Sequence, residues 1–95
     1  MAHRVEIKAS VQRKLINAGL PDFLLVESYL RLRESLSPAT LERIKSPFDG
    51  LTYSFSMVDP YDRLCQHACI FHVMYGQDEQ SLIIVDFAYI RTRGI

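Results

Sequence analysis

Ninety-five residues, 48% of them hydrophobic, with a formal net charge of zero describe one globular domain spanning 1–95 rather than a disordered chain. The balanced charge excludes strong non-specific nucleic-acid binding, which needs clustered positive charge. No apolar run approaches the roughly 20 residues of a membrane span.

The first residues, Met1 to Glu6, carry no apolar leader segment, which points to a cytoplasmic setting. His3-Arg4-Val5-Glu6-Ile7-Lys8 alternates, with Val5 and Ile7 on one side, and is expected to form a first strand. A helix is expected from Ala9-Ser10 to about Ala18, with Val11, Leu15 and Ala18 on one face and Gly19 as its stop. A second helix is expected from Pro21-Asp22 to about Leu36. Phe23, Val26 and Leu30 with Leu25, Tyr29, Leu32 and Leu36 form its apolar stripe, and Leu24 or Tyr29 is left over for an interface. Ser37-Pro38 has the look of an N-cap followed by proline, predicting helical turns over Ala39–Lys45. Ser46 to Gly50 is a loop.

Three strands follow. Leu51 to Val58 alternates apolar and small polar residues, so Leu51, Tyr53, Phe55 and Met57 share a face. Asp59-Pro60-Tyr61-Asp62 is a turn. Leu64–Tyr75 is the next strand, Gly76–Gln80 a hairpin loop, and Ser81–Ile90 a strand apolar on both parities except at Asp86. Centring the hairpin on Asp78 sets His67 opposite Tyr89, Ile70 opposite Asp86 and Cys65 opposite Arg91. The core face then carries Tyr53, Phe55, Met57, Cys69, Phe71, Val73, Val85 and Phe87. The other carries Ser54, Ser56, Gln66, Ala68, His72 and Asp86. The fold class is α+β: a small antiparallel sheet in the order β-α-α-β-β-β, with both N-terminal helices packed on one face.

Cys65 and Cys69 lie four apart on one strand, about 13 Å at strand rise. A disulfide needs Cα atoms within about 7 Å, so both are expected reduced. Cys65-x-His67-x-Cys69-x-x-His72 has zinc-ligand residue types. Ligands spaced along one extended strand do not converge on one ion, however, and His72 points to the opposite face. No metal and no cofactor is expected.

Two polar constellations remain. His72 and Asp86 share a face across neighbouring strands, either as an acid–base pair or as a structural hydrogen bond. His67, Tyr89 and Arg91 gather at the end of the other face, either to bind a phosphate or carboxylate or as a solvated rim. Arg63 and Arg93 lie within reach as additional cations.

The element order, together with particular segments, resembles the RelE/ParE superfamily of bacterial toxin–antitoxin systems. Val5-Glu6-Ile7-Lys8 with Ala9 to Leu15 is similar to that family's first strand and helix. Ala68-Cys69-Ile70-Phe71-His72-Val73 lies where the family often has an Arg-x-x-Tyr strand. Val85 to Arg91 is similar to its last strand, which commonly ends in a basic residue. The resemblance implies a toxin neutralised by a small antitoxin protein. In the RelE branch such a toxin is a ribonuclease that cuts messenger RNA in the ribosomal A site; in the ParE branch it inhibits DNA gyrase. Most of the family's catalytic cations are replaced: their positions fall near Ser54, Ser56 and Ala68, and the family's C-terminal tyrosine has no counterpart. Arg91 alone matches. With Arg91 alone carried over by the resemblance, the remaining roles fall to the residues singled out above: His72 and His67 as catalytic stand-ins beside Arg91, and Arg63, Arg93, Tyr89 and Asp86 for substrate binding. The alternative the resemblance leaves open is a catalytically silent member of the fold that binds a partner protein or a second copy of itself.

Overall fold

A computed structural model describes residues 4–44, 50–78 and 80–94, with Arg43 and Ile44 described by their backbone alone. The elements run β1 (Arg4–Ile7), α1 (Ala9–Asn17), α2 (Asp22–Glu34), a single 3-10 turn (Pro38–Thr40), β2 (Glu42–Ile44), β3 (Gly50–Val58), β4 (Cys65–Tyr75) and β5 (Ser81–Arg93). The strands form one sheet in the order β1-β5-β4-β3-β2. The α+β class with an N-terminal helical pair stands.

The sheet is mixed rather than antiparallel. β1 pairs with β5 in parallel, Arg4 opposite Ser81 through Ile7 opposite Ile84, while every other pairing is antiparallel. Both helices are consumed between β1 and the remaining strands, so the chain returns beside its first strand in the same direction. A fifth strand also replaces part of an expected helix. Ser37 and Pro38 do open a turn, and the Thr40 hydroxyl accepts the Ser37 N–H at 3.0 Å. The backbone is extended from Leu41, and Glu42–Ile44 pairs with Gly50–Thr52. The Thr52 hydroxyl, itself buried, donates to the Glu42 carbonyl at 3.2 Å. Lys45, the end of that expected helix, and the loop 46–49 lie outside the described residues, as does His3 of the expected first strand.

Helix α1 ends as expected at Gly19, whose φ of +73° suits glycine. Helix α2 turns a different face inward. Leu24, Ser28 and Leu32 are its buried residues, whereas Val26, Tyr29 and Leu30 are exposed. Leu24 is therefore core, not surplus. The small side chain of Ser28 lets the helix lie close over β4, and its hydroxyl donates to the Leu24 carbonyl at 2.8 Å and lies 3.9 Å from the Cys69 sulfur.

The core sits between this helical layer and one face of the sheet. Tyr53, Phe55, Cys69, Phe71, Val73 and Phe87 are buried there with Val11, Leu15, Leu82 and Ile84, and Phe71 contacts Phe87 with ring centroids 5.1 Å apart. The strand register differs from expectation by two residues over most of the hairpin. His67 stands opposite Arg91, His72 opposite Asp86, Ile70 opposite Ala88 and Cys65 opposite Arg93. Two causes add. The Gly76 N–H donates to the Ser81 carbonyl at 2.8 Å, which moves the hairpin centre half a residue beyond Asp78. A bulge between His72 and Val73 then inserts Val85 on the β5 side. A shift of two preserves side-chain parity, so the faces are retained below the bulge. At the bulge Ile84 is buried, and Val85, expected in the core, is only half-buried.

Candidate functional site

The core face of β4 and β5 continues past the helices. Alternation along β4 buries Cys65 and His67 beyond Cys69 and Phe71, and alternation along β5 carries Tyr89 and Arg91 beyond Phe87. Where hydrophobic cover ends, these four side chains meet Asp59 from the β3–β4 connection. That connection is held by its own backbone. Asp59 N–H donates to the Cys65 carbonyl at 2.9 Å, and Cys65 N–H to the Asp62 carbonyl at 3.0 Å. One Asp59 oxygen accepts the Tyr61 N–H at 2.8 Å, leaving the other aimed at His67.

His67 is completely buried. Its Nε2 lies 2.8 Å from Asp59 Oδ2 and its Nδ1 lies 2.6 Å from the Tyr89 hydroxyl. The Tyr89 ring lies nearly parallel to the imidazole, 11° between planes, and Phe23 meets it edge-on at 5.5 Å. His67 draws the Asp59 carboxyl below its usual range, helped by the Tyr61 N–H. An ionised carboxylate only accepts, so His67 Nε2 carries a proton toward Asp59, and in the neutral tautomer that follows Nδ1 accepts the Tyr89 O–H. Burial pushes the Tyr89 phenol upward, against the opposing charge of Arg91, so the phenol keeps its proton at neutral pH. Arg91 Nε donates to the Cys65 sulfur at 3.2 Å, and that sulfur lies 3.8 Å from His67 Nε2. Arg91 is exposed and, among the described residues, forms no salt bridge.

Of the residues singled out from sequence, His67, Tyr89 and Arg91 are brought together. The rim there is not solvated at His67, which is enclosed on all sides. His72 and Asp86 are direct cross-strand neighbours on the other face, yet the Asp86 carboxylate accepts from Lys14 Nζ at 2.7 Å and from the Phe87 N–H. Lys14 holds Asp86 below the ordinary carboxylate range, so the bond Asp86 makes is a strand-to-helix tie to Lys14, and among the described residues no hydrogen bond joins it to His72. Arg93 is paired with Asp62 at 3.3 Å. Arg63 is exposed in the β3–β4 connection. Both cysteines are free and buried.

Asp59 is the member of the site that the sequence does not single out; Cys65 stands out there only as a zinc-type residue beside His67. Asp59 reads in sequence as the first residue of a turn, which it also is. No protein-family model matches the chain, and no curated protein matches it.

Proposed function

We propose that the chain is a toxin-like protein of the RelE/ParE kind, acting as an endoribonuclease on messenger RNA and held in check by an antitoxin partner. The observation that carries this reading is the hydrogen-bonded series Tyr89–His67–Asp59, with the Arg91 guanidinium beside it on the Cys65 sulfur. The helical pair on one face of the sheet agrees with the resemblance; the parallel β1–β5 edge departs from the antiparallel sheet expected with it.

The series suits transesterification of RNA. As a ribose 2′-oxygen attacks the adjacent phosphorus, its proton passes to the Tyr89 oxygen while the phenol's own proton moves to His67 Nδ1. The imidazolium so formed is stabilised by Asp59. The P–O5′ bond breaks, leaving a 2′,3′-cyclic phosphate, and the 5′-oxygen takes a proton from water. Arg91 contributes positive charge to the phosphorane oxygens.

The test is cell-free translation dosed with the purified chain, with the messenger examined for cuts. Cleaved messenger and lost synthesis are expected. Arg91→Ala is expected to slow cleavage about 10²–10³-fold and Tyr89→Phe by about 10²–10⁴-fold. Full synthesis with intact messenger overturns the reading. In that case, loss of gyrase supercoiling would identify the ParE-like action instead.

A second reading rests on a separate feature. A groove of about 500 Å³ runs between β1 and α2, lined by Val5, Ile7, Val26, Tyr29, Leu30, Leu32 and Arg33. Its exposed apolar residues suit a silent binding module, which would leave both messenger and supercoiling intact and would self-associate in solution through Val26 and Leu30.

A further inference from the structure

We propose that Asp59, Cys65 and His67 form a binding site for a divalent transition metal of the zinc class. One carboxylate oxygen, one sulfur and one imidazole nitrogen lie within 4.8 Å of one another. These are zinc's preferred donor types. Cys65 and His67, two apart on β4, point to one face, and the turn brings Asp59 against them. The strand by itself offers no convergent set, and the turn supplies the missing direction.

Two of the three separations are close to those a metal needs, and the third, Cys65 sulfur to Asp59 oxygen, within 4.8 Å, closes toward about 3.6 Å on binding. With bonds of about 2.0–2.3 Å, tetrahedral ligands place N and O about 3.3 Å apart and N and S about 3.5 Å apart. The present separations are 2.8 Å for His67 Nε2 to Asp59 Oδ2 and 3.8 Å for Nε2 to the Cys65 sulfur. Seating the ion requires Asp59 to withdraw by about half an ångström and the sulfur to close by less. Asp59 is the ligand able to move, since its side chain retains 12% exposure while His67 retains none.

The surroundings supply what a metal-bound imidazole and thiolate require. His67 Nδ1 already faces the Tyr89 hydroxyl at 2.6 Å. With Nε2 on the ion, the ring proton sits on Nδ1 and is donated to the Tyr89 oxygen. Arg91 Nε donates to the sulfur, a hydrogen bond that a metal thiolate accepts. The Cys65 thiol proton leaves to solvent, and the thiolate and carboxylate together cancel the charge of the ion. Water takes the remaining position on the Asp59 side.

Occupancy would also reverse the Tyr89–His67 hydrogen bond, and with it the proton path in the ribonuclease reading. That consequence rests on the reading; the site itself does not.

Cobalt(II) titration of the purified full chain tests the site without reference to activity. One equivalent is expected to produce a sulfur-to-cobalt charge-transfer band in the near ultraviolet, bleached by one equivalent of zinc. Cys65→Ser is expected to abolish the band and Cys69→Ser to retain it, with circular dichroism confirming the fold of each. Tyr89→Phe, which removes only the partner of Nδ1, is expected to weaken binding about 10–100-fold. A chain without the band, a band that survives Cys65→Ser, or an unchanged affinity in Tyr89→Phe overturns the proposal. Intact messenger with the metal-free chain, alongside the cobalt band in the loaded chain, would refute the ribonuclease reading and leave the metal site standing.

Discussion

Asp59 is held below its ordinary titration range by the hydrogen bond from His67. The unfolded chain therefore takes up this proton before the folded one does. The stability the carboxylate contributes is complete above its unfolded value of about 3.9 and is lost as pH falls through the lower folded value. Asp59→Asn is expected to make the loss of stability below about pH 4 shallower, as measured by urea unfolding at stepped pH. Asp78 and Asp86 are shifted in the same direction, so the variant should retain part of the slope. At Tyr89 the ring stays when the hydroxyl is removed, and Tyr89→Phe is expected to cost about 1 kcal/mol of unfolding free energy, the worth of one hydrogen bond. A loss near zero would mean that water readily replaces the hydroxyl.

Among the elements, α2 shows how a single small residue sets a packing distance. Ser28 is fully buried over Cys69. Ser28→Leu is expected to destabilise the fold by about 1–3 kcal/mol through overpacking, whereas Ser28→Ala, which deletes only a bond back to its own helix, should cost less than half of that. Equal costs in chemical denaturation would show that the hydroxyl, not the spacing, matters. At the end of α1, nothing surrounds the site of a Cβ on Gly19. Gly19→Ala should therefore express the backbone cost alone, about 1–2 kcal/mol.

The same elements explain what was legible in the sequence. The alternation Tyr53-x-Phe55-x-Met57 and Cys69-x-Phe71-x-Val73 reports the core face directly, because strand parity does not depend on a partner. Gly19 and Pro21 punctuate the helices for local reasons. The inward face of α2 was not legible, since the helix is apolar on several sides and its orientation is decided by the sheet below. The two-residue register slip depended on a bulge at Val85, which leaves no mark in a run of apolar residues. At the site, His67, Tyr89 and Arg91 could be grouped because parity alone aligns them. Asp59 could not, because its role comes from where a turn folds back.

At the scale of the molecule, one face of the sheet is covered and the other open, and the cover determines where chemistry is available. Phe71 lies wholly buried beneath the helices between Phe55 and Phe87. Phe71→Ala is expected to cost about 3–5 kcal/mol and to lower the midpoint of a single cooperative transition. Two separate transitions would mean that the helices and the sheet do not share one core. Among the described residues no helix is long and apolar enough to cross a membrane.

The parallel pairing of β1 with β5 has a temporal side. Arg4 to Ile7 find their hydrogen-bonding partners in Ser81 to Ile84, with most of the domain in between. Translation proceeds at about 5–20 residues per second, so the first strand emerges seconds before the strand that will hold it. The helices and the β3–β4 hairpin have local partners and can form meanwhile. The His67–Tyr89 contact cannot, because Tyr89 lies on that same late strand. Whatever the assembled site does, a nascent chain is incapable of it until synthesis of the domain is almost finished.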